Sequence, residues 1–156
     1  MSSNVAISVR DLNKIYSVGS KNEKAALNNI SLQVKKGSIF GLLGPNGAGK
    51  STFINILADL VRKTSGHIDI FGMNHEEKLK DVKKLMGIVP QELNIDPFFT
   101  PKESLEQQAG LYGVRPKDRN IDYILRMLDL EDKSEAYSRT LSGGMRRRLL
   151  VAKAMV

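Results

Sequence analysis

Nine consecutive residues combine glycines, a lysine and two hydroxyl side chains in a spacing suited to binding phosphate. They are Gly44, Pro45, Asn46, Gly47, Ala48, Gly49, Lys50, Ser51 and Thr52, which match the pattern G-x-x-x-x-G-K-[ST] in full. Residues 39–43 predict a short buried strand before the loop, and an apolar helical stripe follows it. That stripe consists of Phe53, Ile56, Leu57 and Leu60. The loop is therefore predicted at a helix N-terminus, where unpaired N–H groups and the helix dipole favour an anion.

The chemistry predicted for this loop is the binding of a nucleoside triphosphate with Mg²⁺. Lys50 is expected to reach the β- and γ-phosphates, and the Ser51 hydroxyl is expected to ligate Mg²⁺. The alternative is a glycine-rich turn without a ligand. The agreement of strand, loop and helix disfavours that alternative.

The elements around the loop predict an α/β core. Alternating apolar residues predict three strands, at Val5 to Val9, Ile30 to Val34 and His67 to Phe71. Leu79, Val82 and Met86 predict a short amphipathic helix, and residues 87–90 predict a further core strand that ends at a proline.

From about Asp96 the apolar period changes to that of helices. Thr100 and Glu103, with proline between them at the first helical position, form a capping box. Two apolar stripes follow, one of Leu105, Ala109 and Tyr112 and one of Ile121, Ile124, Leu125 and Leu128. The α/β core is thus predicted to carry an inserted helical segment.

A second motif, Leu141-Ser142-Gly143-Gly144-Met145, stands about 90 residues after the first. Ser142 can cap the helix that follows, and the two glycines leave its first N–H groups uncovered. Alone, such a motif would indicate an ordinary helix cap. Together with the phosphate loop it predicts a second helix end that contacts an anion.

With these two motifs in this order, the chain resembles the ATP-binding cassette (ABC) family of ATPases over its whole length. The resemblance implies a P-loop NTPase core with an N-terminal β subdomain and an inserted helical subdomain, truncated before the Walker B strand. The implied divisions are 1–97 for the β subdomain and P-loop core, 98–140 for the helical subdomain, and 141–156 for the signature motif and the start of its helix. All of 1–156 would form a partial nucleotide-binding domain.

The resemblance also assigns roles to single residues. In a head-to-tail dimer, Ser142, Gly143 and Gly144 would contact the γ-phosphate of ATP bound by the other subunit. Gln91 resembles the family's Q-loop glutamine, which approaches Mg²⁺ and the attacking water. The resemblance therefore implies that Lys50 and Gln91 are the catalytic residues of this chain. Tyr16 would stack on adenine, and Val18 would add an apolar contact. Neither His67 nor His75 matches the family's switch histidine, which follows the signature.

Composition and charge limit the classes of partner that the chain is expected to bind. The net charge is +7, but residues 133–156 hold six basic residues and one acidic residue, so the excess is local and nucleic-acid binding is disfavoured. Arg146, Arg147 and Arg148 point in different directions at helical spacing, which favours a solvated helix face. There is no cysteine, no long apolar run and no signal-like start, so we expect a cytoplasmic protein without disulfides.

Residues 149–156 are apolar and lack a helix stop signal, which predicts that the chain is a fragment. The family's Walker B aspartate, the acidic residue after it and the switch histidine are not among its residues. We therefore expect binding of Mg-ATP with poor or no hydrolysis by this chain. We also expect an incomplete sheet, and hence low stability or an oligomer.

The family resemblance favours the ATP-hydrolysing subunit of an ABC transporter, most similar to ABC-2-type exporters of drugs, lipids or polysaccharides. It would lie on the cytoplasmic face of a membrane and bind transmembrane permease subunits that are separate chains. Two alternatives remain: a soluble ABC protein that acts on the ribosome or DNA, and a non-catalytic nucleotide-binding remnant. A nucleotide kinase would leave the signature motif unexplained.

Overall fold

The computed structural model describes residues 4–156, which form two compact units. One unit extends to Leu85 and the other spans residues Met86–Val156. Within residues 4–156, no helix has the length and apolar character needed to cross a bilayer.

The first unit is built on a four-stranded antiparallel sheet in the order β2-β1-β3-β4. Its strands are β1 (Val5–Tyr16), β2 (Lys24–Lys35), β3 (Ser65–Ile70) and β4 (Met73–Asn74). The predicted alternation is confirmed in β2, where Ile30, Leu32 and Val34 are half-buried between exposed neighbours, and in β3, where Ile68 and Ile70 are buried. In β1 it is wrong, because residues 5–8 are all half-buried and the buried Val9 and Leu12 are three residues apart across a register shift. Two short helices complete the unit, α1 (Lys50–Leu57) and α2 (Leu79–Lys83).

Helix α1 is held against the sheet by its N-terminal glycine. Gly49 is left-handed, with a φ of 88°, and a Cβ at this position would collide with the carbonyl oxygen of Ala26 and lie 2.8 Å from Leu27 Cδ2. Phe53 and Ile56 form the buried face of the helix, as predicted. Leu60, which the spacing placed on the same stripe, lies beyond the helix end and is exposed.

Two predicted strands, residues 39–43 and 87–90, are wrong. Both segments lack regular secondary structure, and the side chains of Ile39 and Leu43 are 103% and 92% exposed. A buried parallel strand needs hydrogen-bonding neighbours on its edges. The sheet formed within residues 4–156 consists of β1 to β4, and none of these strands pairs with either segment.

Asp59, just after α1, adopts a left-handed conformation with a φ of 58°. Aspartate tolerates this conformation better than most residues. Its carboxylate accepts a hydrogen bond from Lys83 Nζ at 2.7 Å, so the turn is tied to the end of α2. Val82 of α2 is fully buried, whereas Met86, predicted on the same helix, lies outside it.

The second unit contains α3 (Pro101–Leu111), α4 (Ile121–Met127) and α5 (Gly143–Met155), with three short 3₁₀ turns between them. The capping box is confirmed at Thr100, whose hydroxyl accepts from the N–H of Glu103 while the Glu103 carboxylate accepts from the N–H of Thr100. The three helices share one core, formed by Leu105, Ile121, Ile124, Leu125, Leu130, Leu141, Leu149 and Ala152. Tyr112 and Leu128 occupy the C-caps of α3 and α4.

Ion pairs fasten the surface of this core. Arg126 and Glu131 lie 3.0 Å apart at the end of α4. The hydrogen bond from Arg126 and its positive charge lower the pKa of the exposed Glu131 carboxyl. Arg148 of α5 donates to the carboxylate of Asp129 at 2.8 Å, which links α5 to the same turn.

We predict that Leu125→Ala will destabilise the second unit by about 2–5 kcal/mol, because it leaves a cavity in the shared core. Leu125 is only 1% exposed. The matched control is Leu111→Ala at the end of α3, where the side chain is 78% exposed and the expected change is below about 0.5 kcal/mol. Urea unfolding of both variants measures the difference, and equal effects would contradict the assignment of this core.

We predict that Gly49→Ala will destabilise the first unit by roughly 2 kcal/mol or more, since it combines backbone strain with a clash against β2. Gly47→Ala is its control. Gly47 has a similar φ of 84° but no atom within 4 Å of a Cβ, so only strain, about 1 kcal/mol, is expected. Thermal unfolding and the hydrogen exchange of the amides in β1 and β2 are measured for both variants, and the two measurements distinguish them. Equal losses would show that the contact with Ala26 does not matter.

Candidate functional site

The loop of residues 44–52 folds back on its own lysine. Lys50 Nζ donates hydrogen bonds to the carbonyl oxygens of Gly44 at 2.6 Å and Pro45 at 2.8 Å, while the N–H of Ala48 donates to Pro45 O at 3.2 Å. The loop is therefore already curved around an ammonium group. An anion brought to this position would meet a fixed positive charge.

The start of α1 adds unpaired backbone donors to this charge. No side chain caps the helix at Gly49, and its first turn carries no acidic residue. The first N–H groups of an α-helix have no partner within the helix, so those of Lys50, Ser51 and Thr52 face outward from the N-terminus. The exposed Ser51 hydroxyl belongs to the same turn. Chemically, the arrangement can hold phosphate oxygens and offers one hydroxyl to a cation.

Tyr16 lies near this loop by strand register. It pairs with Lys24 of β2, two residues before Ala26, whose carbonyl contacts Gly49. Two residues along a strand span about 7 Å. The Tyr16 side chain is 38% exposed, and Lys14 Nζ lies 4.6 Å from its ring centroid. An aromatic ring close to a phosphate loop and open to solvent is positioned to stack on a base.

Val18 follows in the turn after β1 and is 68% exposed. The turn is closed by the N–H of Gly19, which donates to the Glu23 carboxylate at 2.9 Å. Tyr16, Val18 and the phosphate loop thus all belong to the first unit.

The other predicted residues, Gln91 and the signature, belong to the second unit. Gln91 is exposed, and its carbonyl oxygen accepts a hydrogen bond from Arg147 Nη1 at 3.0 Å. Ser142 caps α5, as predicted, by accepting from the N–H of Met145 at 3.2 Å. Gly143 and Gly144 are exposed and carry no side chain, so their N–H groups begin α5 uncovered.

The arginine contact was missed by sequence reasoning. Arg146, Arg147 and Arg148 were interpreted as a solvated helix face, yet Arg147 binds backbone carbonyls and Arg148 binds Asp129. Arginine has a rigid set of N–H donors that can reach main-chain oxygens distant in sequence, and no local pattern reports this.

The two histidines have structural contacts. The buried His75 ring places Nε2 2.9 Å from the carbonyl oxygen of Leu57, and His67 Nε2 lies 3.0 Å from the Asp69 carboxylate. Within the described part of the chain, no group of three histidine, cysteine or acidic side chains could hold a metal ion.

Comparison with known proteins agrees with this geometry. A family model described as ABC transporter matches residues 27–156. The Nod factor export ATP-binding protein I of Cupriavidus pinatubonensis is 38% identical over 136 residues, which cover 86% of this chain and 42% of that protein. The protein of the same name in Rhizobium etli is 35% identical over 153 residues, or 97% of this chain and 47% of the relative. The chain spans about half the length of these curated relatives.

Solved structures give the same result. An ATP-binding subunit of an ABC transporter matches with a TM-score of 0.79 and 25% identity, over 96% of this chain and 61% of that chain. The dimeric bacterial ABC transporter cassette MJ0796 matches with a TM-score of 0.77 and 27% identity, over 96% and 68%. With a family model that covers residues 27–156 and the phosphate loop in place, this chain belongs to the ABC transporter family.

Proposed function

We propose that the chain binds Mg-ATP at the loop of residues 44–52. The observation that carries this proposal is the curved loop, closed around Lys50 Nζ, at a helix start that no side chain caps. When phosphate arrives, Lys50 exchanges the carbonyl oxygens of Gly44 and Pro45 for phosphate oxygens. The N–H groups of the first turn of α1 bind the same anion.

The loop residues also fit a magnesium ion carried by the nucleotide. Mg²⁺ is commonly bound through substrate phosphates and only one or two protein oxygens. The Ser51 hydroxyl, exposed in the first turn of α1, is the oxygen that this loop offers. Bound there, Mg²⁺ would neutralise phosphate charge. The role of Gln91 at the same ion remains a prediction from the family resemblance.

The adenine is proposed to stack on Tyr16, with Val18 at its edge. The support is the register, which puts Tyr16 opposite Lys24 and close to the segment of β2 that holds Gly49. Stacking of a base on an aromatic ring is typically worth about 1–3 kcal/mol. Lys14, which lies over the same ring, would have to move aside or stay on the opposite face.

For the whole protein, we propose ATP hydrolysis coupled to export. The relatives described above are named export ATP-binding proteins, and the solved cassette MJ0796 is dimeric. In a head-to-tail dimer, Ser142, Gly143 and Gly144 would complete the site on the other subunit. The membrane path would come from permease subunits that are separate chains, with this protein at the cytoplasmic face. No observation favours action on the ribosome or DNA.

We predict that saturating Mg-ATP, at about 100 times Kd, will stabilise the 156-residue chain by about 2.7 kcal/mol. The corresponding rise in Tm is roughly 5–10 °C. Lys50→Ala is expected to abolish most of this rise, because the loop loses its ammonium group. The control is Lys63→Ala, which removes the same charge from an ion pair with Glu76, 3.0 Å long and outside the loop. Its shift with Mg-ATP is expected to equal that of the wild type.

The nucleotide titration is repeated with Mg-ADP and with ATP plus EDTA. A smaller shift without the metal supports the proposal that the nucleotide binds together with Mg²⁺. If neither wild type nor Lys63→Ala responds to any nucleotide, the binding proposal is refuted.

A further inference from the structure

Arg147 connects α5, the helix that follows the signature, to the segment that carries Gln91, and both belong to the Met86–Val156 unit. Arg147 Nη1 donates to two successive main-chain oxygens, Pro90 O at 2.7 Å and Gln91 O at 3.0 Å. Both bonds come from a charged donor, and such bonds are shorter and stronger than those between neutral groups. They hold the backbone of Gln91 and leave its side chain free to act.

The same segment touches α5 again near the other end of the helix. A Cβ on Gly87 would collide with the carbonyl oxygen of Ala154 and would lie 2.9 Å from Ala154 Cβ. The backbone of Gly87 therefore packs directly on the helix. Only glycine fits at this distance.

The spacing of the two contacts defines the path of the segment. Arg147 and Ala154 are seven residues apart, nearly two helical turns, so they share one face of α5 and are separated by about 10.5 Å. Gly87 and Pro90 are three residues apart, and an extended chain of that length covers about 10 Å. Residues 87–91 thus run antiparallel along one face of α5, fixed at both ends.

Helix α5 packs on a core through its opposite face. Leu149 and Ala152 belong to the core shared with α3 and α4. Ser142, the N-cap of this helix, lies five residues before Arg147, which is a rise of about 7.5 Å. A displacement of the signature end of this helix is therefore passed to the backbone of Gln91.

We propose that Arg147 is a positioning residue, which sets the backbone of Gln91 from the signature helix and so couples the two motifs within one subunit. This inference depends on the proposed function, in which Gln91 acts at the nucleotide and the signature contacts the nucleotide of the other subunit. Under that function, Arg147 links one nucleotide site of the dimer to the other. It makes no contact with nucleotide itself.

The test compares three single substitutions, each made in the full-length protein. Arg147→Ala removes the donor at an exposed position of a helix, where alanine is the residue best suited to helical structure. Arg147→Lys restores a charged donor of nearly the same reach. Arg148→Ala is the matched control, because it removes the neighbouring arginine and its bond to Asp129 but no contact with residues 87–91. Persisting hydrogen-exchange protection in α3 verifies that each variant is folded.

Two readouts are taken. The first is the 15N NMR order parameter of the amides in residues 87–92 without nucleotide, which we expect to fall in Arg147→Ala from a rigid value of about 0.85 to about 0.6 or below, because the two bonds that hold this backbone are lost. The second readout is a pair of constants that are measured separately, Kd for a fluorescent ATP analogue and kcat for ATP hydrolysis. We expect Kd to change by less than about twofold, since the phosphate loop is intact, and kcat to fall about tenfold or more through misplacement of Gln91. Arg147→Lys is expected to recover most of both effects, and Arg148→Ala to show neither.

The outcomes separate the inference from the function beneath it. If wild type binds and hydrolyses Mg-ATP and Arg147→Ala behaves like Arg148→Ala, the positioning role is refuted and the proposed function stands. A loss of Kd as large as the loss of kcat would also refute it, as it would indicate general disruption. If wild type fails to bind Mg-ATP, the proposed function is refuted and the coupling role with it. Lower order parameters in residues 87–92 would then show only that the link holds the backbone.

Discussion

The close approach of Gly49 to the carbonyl oxygen of Ala26 is the constraint on which the phosphate loop depends. It fixes the N-cap residue of α1 against β2, and β2 is fixed in turn by its pairing with β1. The direction in which the first N–H groups of α1 point is therefore set by an antiparallel sheet that touches no phosphate. The helix end of the loop is thus held by the sheet, and Lys50 Nζ closes the loop through the carbonyl oxygens of Gly44 and Pro45.

In the second unit, too, a regular element positions the motifs, although the contacts that it makes are different. Here the rigid element is α5, whose apolar face lies in the core with Leu105 and Leu125. The exposed N-terminus of this helix carries the signature, and another face holds residues 87–91 through Arg147 and Gly87. A single helix thus positions two motifs that are far apart in the sequence. Residues 87–91, which lack regular secondary structure, gain a defined position by lying along it.

Local features were predictable from the sequence because each depends on neighbours a few residues away. Alternation along β2 and the capping box at Thr100 are of this kind, and both are confirmed. The strands expected at 39–43 and 87–90 are wrong, because apolar composition reports a tendency to be buried but not whether a neighbouring strand exists. The contact of Arg147 with Pro90 spans 57 residues and depends on how α5 is oriented, which no local pattern encodes.

The N-termini of α1 and α5 differ in the groups that they offer to an anion. At α1 a left-handed glycine precedes the helix and no side chain takes up its donors, while Lys50 adds a full charge. At α5 the hydroxyl of Ser142 already occupies the N–H of Met145, and the first turn contributes no lysine. Helix-end interactions with anions are typically worth only about 0.3–1 kcal/mol at exposed sites. The signature end is therefore too weak to capture a nucleotide alone, and we expect it to act only on phosphate that a phosphate loop already holds.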